Sequence, residues 1–394
     1  MKNYITPNFK FADIIPVKAQ GNTVWDQNNK DYIDLLGGIA VNALGHCNPD
    51  LIQTIHEQAD KLWHISNTFT TTPAQELAEK FVKNTFAEKV FLANSGAEAN
   101  EAALKLARKY AHDHFGCKKN KIVSCHNSFH GRTLLTVTVG GQEKYQSGFG
   151  PLPPSIYYTE FNNIETLKDI LDDETCAFIV EPIQGEGGVL PAHLEFLKIA
   201  RELCNKYNIA FILDEIQTGM GRTGSLFAYQ QYQITPDILT SAKALGCGLP
   251  IGAMLTTNQF AESFTPGSHG TTFGGNPLIC AVANTAFDII NSENTLNNVK
   301  RQHEFFKTEL TQIASETGKF KLIRGKGLLI GCVLADRFLG QAGQLVNEAL
   351  KAGVIVNQAG TNVIRMTPSL IIDDEDRQKG LNRFKKAVEQ WIPE

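Results

Sequence analysis

A single lysine stands in a stretch of small and apolar residues that could serve chemistry. Lys243 follows the run Ile238-Leu239-Thr240-Ser241-Ala242, and no other charged residue occurs between Asp237 and Glu262. A lysine kept from water loses its proton more readily and can attack a carbonyl carbon to form an imine. A lysine whose charge simply reaches water is the commoner case, but small neighbours leave space beside this amine. We therefore predict that Lys243 holds a carbonyl cofactor.

A strand that ends in two acidic residues is the second candidate. The apolar run 209–213 precedes Asp214 and Glu215, and the carboxyl ends of parallel strands are where such sheets bind ligands. A nucleotide-binding or metal-binding strand end is the alternative, but the sequence contains no G-x-x-x-x-G-K-[ST] loop. One helical crossover fits between Asp214 and Lys243. An aspartate that protonates a pyridine nitrogen, together with an imine-forming lysine, is typical of a pyridoxal phosphate site.

A third stretch could bind an anion. A short apolar strand leads into Ser95, Gly96 and Ala97, which begin a helix rich in alanine, glutamate and lysine. Ser95 is a natural helix cap, and Gly96 allows the backbone to approach a ligand. Free N–H groups at a helix start attract an anion by about 0.3–2 kcal/mol per charge. Taken alone, this turn is more typical of an ordinary capped helix.

The elements that position these residues predict an α/β architecture. Helices alternate with short apolar strands, which is typical of a mostly parallel sheet covered on both faces. The predicted strands are 89–93, 121–124, 177–181, 209–213, 238–241 and 251–256, with helices at 74–83, 97–112 and 194–207. Beyond them, the pattern predicts helices 278–291, 295–317, 341–352 and 373–389 with strands 320–324, 328–334 and 363–366.

This change of pattern near Pro277 predicts two structural units. We expect a large domain over residues 61–277 and a smaller α+β domain over 278–394, to which the N-terminal segment 1–60 contributes. No flexible linker or internal repeat separates them. The helix 278–291 is therefore expected to join the two units.

Composition excludes several classes of protein. The chain has 394 residues and a net charge of −4, which argues against nucleic acid or an anionic membrane as the main partner. Its eight cysteines form no C-x-x-C pair, so reduced thiols in the cytoplasm are expected. Residues 1–21 lack a signal-peptide pattern, and no apolar run is long enough to cross a bilayer. The pairs His112/His114 and His126/His130 have no accompanying ligand set, so no metal site is predicted.

Together, the three candidate stretches resemble fold-type I pyridoxal-phosphate enzymes, and specifically the class III aminotransferases. Further motifs carry the resemblance, which extends from about residue 10 to about residue 390: S-F-H-G-R-T at 128–133, E-P-I-Q-G-E-G-G at 181–188 and G-T-T-F-G-G-N-P at 270–277. It implies a mostly parallel seven-stranded sheet covered by helices, with a smaller α+β domain. It also implies a homodimer whose active site lies at the subunit interface.

The resemblance implies that pyridoxal 5'-phosphate is the cofactor. Lys243 would bind it through an imine and then move the proton between substrate and cofactor carbons as general base and acid. Asp214 would keep the ring nitrogen protonated. Many relatives have threonine where this chain has Ala97, so a side-chain hydroxyl is lost there while the backbone N–H remains. The other implied cofactor contacts are Ser95, Gly96 and Ala97 at the phosphate, Thr272 at the phosphate from the other subunit, Phe129 and Ile216 at the ring faces, Gln217 at the ring hydroxyl, and Glu215 beside Asp214.

Substrate roles follow from the same resemblance. Arg132 would clamp a carboxylate through its planar guanidinium, and Thr271 would contact the far end of the donor from the neighbouring subunit. Arg365 would take the α-carboxylate of glutamate. Glu186 would neutralise Arg365 while an ω-amine donor reacts and would move aside when glutamate enters. One site must accept both kinds of substrate.

The resemblance is strongest to members that transfer the 5-amino group of N2-acetylornithine to 2-oxoglutarate in arginine biosynthesis. Some such members also accept N-succinyldiaminopimelate. Transamination of ornithine or 4-aminobutyrate is the alternative, although Ile39 falls where ornithine enzymes carry a tyrosine, which favours an acylated donor. A cofactor-binding protein without turnover is a further alternative. Such a protein is expected to have lost Lys243, Asp214 or Arg132, and all three are present.

Overall fold

The computed structural model of the protein describes residues 4–392. Residues 1–3 of the predicted N-terminal segment and residues 393–394 of the predicted small domain lie outside the described residues. The helices are α1 (Gly37–Ala40), α2 (Pro49–Ala59), α3 (Thr72–Asn84), α4 (Gly96–Phe115), α5 (Leu134–Val139), α6 (Glu143–Gln146), α7 (Ile164–Ile170), α8 (Leu194–Tyr207), α9 (Tyr229–Tyr232), α10 (Asn258–Ala261), α11 (Pro277–Ile290), α12 (Glu293–Thr317), α13 (Ala342–Lys351) and α14 (Asp374–Gln390). Among these described helices, none is both long and apolar enough to span a bilayer.

The strands form one large sheet and three smaller ones. They are β1 (Pro16–Gln20), β2 (Thr23–Asp26), β3 (Asp31–Asp34), β4 (Lys89–Ala93), β5 (Lys121–Cys125), β6 (Ile156–Thr159), β7 (Thr175–Val180), β8 (Ile183–Gln184), β9 (Leu190–Pro191), β10 (Ala210–Asp214), β11 (Ile238–Ser241), β12 (Gly252–Thr256), β13 (Phe320–Lys326), β14 (Leu329–Leu334), β15 (Val354–Ile355), β16 (Asn357–Ala359) and β17 (Val363–Met366). The large sheet has the order β4-β12-β11-β10-β7-β5-β6. The predicted seven-stranded α/β fold is confirmed.

The direction of the strands in the large sheet determines where a site can form. Strands β11, β10, β7, β5 and β6 are parallel, and β12 is antiparallel to both β11 and β4. The carboxyl ends of β4, β5, β7, β10 and β11 therefore meet at one edge. Every residue of β7 and β10 is buried, because helices cover both faces of a parallel sheet.

One expected connection has a different form. The chain between β10 and β11 was predicted to be a helical crossover, but its only regular helix is the four-residue α9. The rest is an irregular, mostly buried segment. It includes Arg222, which donates from Nη1 to the carbonyls of Leu328 and Pro368. This connection therefore packs against the later part of the chain instead of covering the sheet as a full helix would.

The N-terminal and C-terminal parts of the chain pair with each other. Strand β3 is antiparallel to β2 and parallel to β15, which joins residues 31–34 to residues 354–355. A separate antiparallel sheet has the order β13-β14-β17-β16 and places Arg365 in the buried strand β17. Helix α11 connects the residues of the large sheet to these later elements, and its Asn276 cap accepts from the amides of Leu278 and Ile279.

Candidate active site

A cavity of about 470 Å³ opens at the carboxyl edge of the large sheet. It forms where the chain leaves five strands of this sheet. The residues predicted from the sequence that line it are Ser95, Gly96, Ala97, Phe129, Arg132, Asp214, Ile216, Gln217 and Lys243. The structure therefore brings most of the predicted site together, although these residues come from segments far apart in the chain.

Asp214 ends β10 and is 3% exposed, so its carboxylate requires partners. One oxygen, Oδ2, lies 2.7 Å from His130 Nδ1 and accepts from Asn100 Nδ2 at 2.8 Å. The other, Oδ1, accepts from the amide of Ile216 at 3.0 Å. These contacts fix the carboxylate at the cavity wall, and a charge held in this way can stabilise a proton on a ligand nitrogen.

Sequence reasoning gave no role to Asn100 and His130, the two side chains that orient Asp214. Asn100 also donates to the His130 carbonyl and accepts from Thr240, so it connects α4 to β11. Burial acts to lower the pKa of His130, but the hydrogen bond and charge of Asp214 outweigh it and raise that pKa. The position of His130 directly after Phe129 in the S-F-H-G-R-T motif was the available signal.

Lys243 follows β11 at the start of a single 3₁₀ turn, Lys243–Leu245. Its backbone has a φ of 45°, a region that residues with a side chain seldom adopt, and its side chain is partly covered as it lines the cavity. Burial, and then the charge of Arg365, lower the pKa of Lys243 to about 8. At pH 7 about one tenth of the amine is therefore neutral and nucleophilic, a far larger fraction than in an ordinary exposed lysine.

The turn before α4 forms a cradle that is lined by backbone atoms, because glycines leave no room for side chains there. Ser95 caps the helix by accepting from the amide of Glu98. A Cβ atom on Gly96 would lie 2.7 Å from Ile216 Cδ1, and one on Gly252 would lie 2.2 Å from the Ser95 carbonyl oxygen. The first amides of a helix have no partner within it, so those of Gly96 and Ala97 are available to an anion. The cradle fits the phosphate of pyridoxal phosphate.

Arg365 and Glu186 form an ion pair behind Gln217. Arg365 Nη1 lies 2.5 Å from Glu186 Oε1 and donates to Gln217 Oε1 at 3.2 Å. The Nε and Nη2 atoms of Arg365 are buried and have no hydrogen-bond partner among residues 4–392. These two donors form one edge of the guanidinium, the geometry that binds a carboxylate through two parallel hydrogen bonds. Because the Arg365 side chain is fully buried beside Glu186, a substrate carboxylate can reach these donors only when Glu186 moves aside.

Arg132 is the exposed arginine of the cavity. Its guanidinium carbon lies 4.0 Å from the ring centroid of Tyr145 and 5.4 Å from that of Phe129. Within residues 4–392 its contacts are with these rings, and no carboxylate pairs with it. Its charge is therefore available to a ligand at the outer part of the cavity.

Five predicted residues do not line the cavity of their own chain: Arg365 and Glu186, which form the ion pair behind Gln217, and Glu215, Thr271 and Thr272. Glu215 is fully buried and turned away from it, because its carboxylate accepts from Thr218 and from the amides of Ala228 and Tyr229. Burial raises the pKa of Glu215 to about 7. Thr271 accepts from Asn94, and Thr272 is exposed. The sequence had assigned both threonines to the cavity of a neighbouring subunit.

Glu181 is a cavity residue to which the sequence analysis gave no role. It follows β7, and its two oxygens accept from the amides of Phe129 and Gly185, each at 3.2 Å. Burial raises the pKa of Glu181 to about 7. Glu181 therefore ties the loop that carries Phe129 to the loop that carries Glu186.

Comparisons with known proteins agree with this geometry. A family model described as aminotransferase class-III matches residues 4–388. The acetylornithine aminotransferase of Neisseria meningitidis serogroup B is 57% identical over 391 residues, which cover 99% of this chain and 98% of that protein. A Pseudomonas aeruginosa protein named succinylornithine transaminase/acetylornithine aminotransferase is 54% identical over 389 residues, covering 99% and 96%.

A solved structure is also similar over nearly the whole chain. The N-acetylornithine aminotransferase of Stenotrophomonas maltophilia is 43% identical, with a TM-score of 0.85 and coverage of 96% of each chain. The predictions of family and cofactor are therefore confirmed. This chain belongs to the class-III aminotransferases and is a pyridoxal-phosphate-dependent enzyme.

Proposed function

We propose that this enzyme transfers the 5-amino group of N2-acetylornithine to 2-oxoglutarate, which gives N-acetylglutamate 5-semialdehyde and glutamate. This reaction belongs to arginine biosynthesis. Relatives that match nearly the whole chain at 57% and 54% identity carry names of acetylornithine aminotransferases. The site itself supports a reaction between an ω-amine donor and an α-keto acid.

The observation that carries the proposal is a pair of arginines with different surroundings. Arg132 is exposed and has no carboxylate partner in the described part of the chain. Arg365 is buried and pairs with Glu186. A donor that reacts at its far amine needs only Arg132, because its own carboxylate lies far from the reacting atom. Glutamate carries two carboxylates and needs both arginines, so Glu186 must release Arg365 when glutamate binds.

Lys243 and Asp214 would carry the chemistry. Pyridoxal phosphate supplies an aldehyde carbon for amine exchange and a ring that takes up electrons from the substrate carbon. Lys243, with its pKa lowered to about 8, would take a proton from that carbon and return one as general base and acid. Asp214, held by His130 and Asn100, would keep the ring nitrogen protonated. Gly96 and Ala97 would bind the phosphate through their amides.

Other contacts in the cavity complete the proposed site. We infer that Phe129 and Ile216 cover the two faces of the cofactor ring and that Gln217 reaches its hydroxyl, because all three line the cavity. Ser95 would support the phosphate cradle. Glu215 would act from behind, by fixing the turn that follows Asp214.

The outer cavity favours an acylated donor over ornithine. Val41, Leu249, Pro250 and Ile251 line it, and among the described lining residues the carboxylates are those of Glu181 and Asp214. Both carboxylates accept hydrogen bonds from other groups of the chain. A free α-ammonium group would therefore lose its hydration without gaining a counter-ion, which costs several kcal/mol. An N-acyl group makes no such demand.

N-succinylornithine is a second candidate donor. The Pseudomonas aeruginosa relative carries both activities in its name, and the cavity is open toward the exposed Pro250. A longer acyl chain would extend toward this opening. N-succinyldiaminopimelate shares the acylated amine and is included for the same reason.

A donor panel tests the proposal. Purified enzyme with pyridoxal phosphate and 2-oxoglutarate is assayed for glutamate with N-acetylornithine, N-succinylornithine, N-succinyldiaminopimelate, ornithine and 4-aminobutyrate. We expect kcat/KM for N-acetylornithine to exceed that for ornithine by at least about 100-fold, the factor that corresponds to roughly 3 kcal/mol. Lys243→Ala serves as the control and should give no transamination. A preference for ornithine or 4-aminobutyrate would refute the proposal.

We also propose a homodimer with shared active sites, located in the cytoplasm. Thr271 and Thr272 lie outside the cavity of their own chain, and the adjoining Phe273 is 59% exposed. In such a dimer this segment would reach the partner's cofactor. The pairing of β3 with β15 supports a division into a large domain at 61–277 and a small domain formed by 278–394 with 1–60. Light scattering should give twice the mass of the chain, and a monomeric active enzyme would contradict the shared site.

A further inference from the structure

Tyr145 has no role in the proposed reaction, yet it makes the shortest aromatic contact of Arg132. The guanidinium carbon lies 4.0 Å from the Tyr145 centroid and 5.4 Å from the Phe129 centroid. The two rings stand at 85° to each other, with centroids 6.2 Å apart. Arg132 therefore lies in a corner formed by two perpendicular rings. Phe129 belongs to the proposed cofactor site, whereas Tyr145 lies outside the residues that line the cavity.

We propose that Tyr145 is a positioning residue that holds the Arg132 guanidinium where it can bind the carboxylate of the amino donor. The inference rests on the proposed function, because that function makes Arg132 the carboxylate-binding group. An arginine side chain has about 2 kcal/mol of rotamer entropy to lose when it becomes fixed. Arg132 has no ion pair within residues 4–392 to fix it, so the rings provide its order.

The backbone of Tyr145 is anchored to the loop that carries Arg132 through its neighbour Gln142. Its backbone amide donates to the carbonyl of Gln142 at 3.0 Å, and the buried Gln142 side chain donates to the Ser128 carbonyl at 2.6 Å. Gln146, one residue further along, donates to the carbonyls of Val137 and Thr138. Helix α6 is thus tied both to the start of the S-F-H-G-R-T motif and to α5, which follows that motif.

Geometry also explains why an aromatic ring suits this position better than an acid would. A carboxylate at residue 145 would hold Arg132 more tightly, but it would compete with the donor carboxylate for the same N–H groups. A ring attracts the cation through its face and leaves the edge of the guanidinium free to donate. Tyr145 therefore orders Arg132 without occupying its hydrogen-bonding capacity.

The test compares two donors that differ only in their carboxylate. N-acetylornithine has an α-carboxylate, and N-acetylputrescine is the same acylated diamine chain without it. In Tyr145→Leu we expect kcat/KM for N-acetylornithine to fall by about fivefold, and by up to about 30-fold if the bound donor excludes water from the contact. The value for N-acetylputrescine should stay within about twofold of wild type. Tyr145→Phe keeps the ring and should restore the wild-type ratio of the two donors.

A matched control and a structural readout complete the experiment. Tyr157→Leu removes another tyrosine ring with a cation over it, that of Lys121 at 5.2 Å, and should leave the ratio unchanged. Crystal structures should show Arg132 in one conformer in the wild type and in several in Tyr145→Leu. An equal loss for both donors, or an ordered Arg132 in Tyr145→Leu, would overturn the inference. If wild type fails to convert N-acetylornithine, the proposed function falls, and the conformers of Arg132 still decide the role of Tyr145.

Discussion

Replacing Glu186 by glutamine should shift the enzyme toward glutamate. Arg365 is completely buried and Glu186 is 22% exposed, so the pair is weakly screened. A hydrogen bond to a charged partner is worth about 1.5–3 kcal/mol and a neutral one about 0.5–1.5 kcal/mol. Glu186→Gln therefore lowers the free energy needed to free Arg365 by roughly 1–1.5 kcal/mol. This corresponds to an increase of about five- to tenfold in kcat/KM for the glutamate half-reaction.

The two half-reactions can be measured separately by rapid mixing, because the absorbance of the bound cofactor changes when it accepts an amino group. The rate with N-acetylornithine should stay equal or fall, since that donor gains nothing from a free Arg365. Glu195→Gln, an exposed change on α8, is the matched control and should alter neither rate. A glutamate rate that is unchanged or lower in Glu186→Gln would refute the idea that Glu186 competes with the substrate carboxylate.

Three further changes test the remaining parts of the site. The folded-state pKa of Lys243 is lowered to about 8, so its buried charge costs stability below pH 8 and costs none above about pH 10.5. Cofactor-free Lys243→Met should therefore be more stable than wild type by about 1–3 kcal/mol at pH 7 in urea unfolding, and this advantage should disappear at high pH. Equal stability at pH 7 would contradict the burial of this amine. His130→Phe removes the donor to Asp214 and should weaken retention of pyridoxal phosphate during dialysis by about tenfold or more, whereas wild-type retention would show that Asn100 suffices. Gly252→Ala would place a Cβ 2.2 Å from the Ser95 carbonyl oxygen. Thermal unfolding should therefore show a free energy of unfolding lower by about 1–3 kcal/mol, together with weaker cofactor binding. An unchanged variant would mean that the backbone around Ser95 can move.

The sequence predicts the strongly patterned elements well, including β4 at one edge of the large sheet, but it misses β6 at the other edge. Strand 89–93 and helix 194–207 have the predicted bounds, because each combines a clear apolar pattern with polar residues at both ends. Strand β6 was missed. Its four residues form an edge strand in which Tyr157 is 49% exposed, so neither alternation nor a continuous apolar run marks it. The two-residue strand β15 is too short for any pattern.

Contiguous motifs predict well which segments of the chain reach the cavity. They predict less well which side chains of those segments point into it. Asp214 and Glu215 are neighbours at a strand end, and adjacent residues of a strand face opposite sides. The structure accordingly places Asp214 at the cavity and Glu215 against the amides of Ala228 and Tyr229. Asn100, one of the two side-chain partners of Asp214, lay beyond sequence reasoning for a different reason. Asn100 is 114 residues away in the chain, so only the folded sheet edge brings the two together.

The pairing of Glu186 with Arg365 has a consequence for Lys243 as well as for substrate selection. After burial, the charge of Arg365 is the next largest influence that lowers the pKa of Lys243, and the charge of Glu186 acts in the opposite direction. In the proposed glutamate half-reaction, the substrate's α-carboxylate would displace Glu186 and take the place of one negative charge beside Arg365. The net charge near Lys243 would then be similar in both proposed half-reactions, although the two substrates react at different kinds of amine.

This balance should fail when the acidic group is removed and no substrate replaces it. In cofactor-free Glu186→Gln, the charge of Arg365 is uncompensated, so the pKa of Lys243 should fall below that of the wild type. The pH dependence of amine acylation at Lys243, followed by mass spectrometry, measures this directly. Adding a dicarboxylate such as glutarate should raise the pKa again toward the wild-type value, because its carboxylate restores the lost charge. A pKa of Lys243 that is equal in both proteins would mean that Glu186 selects substrates without influencing the base.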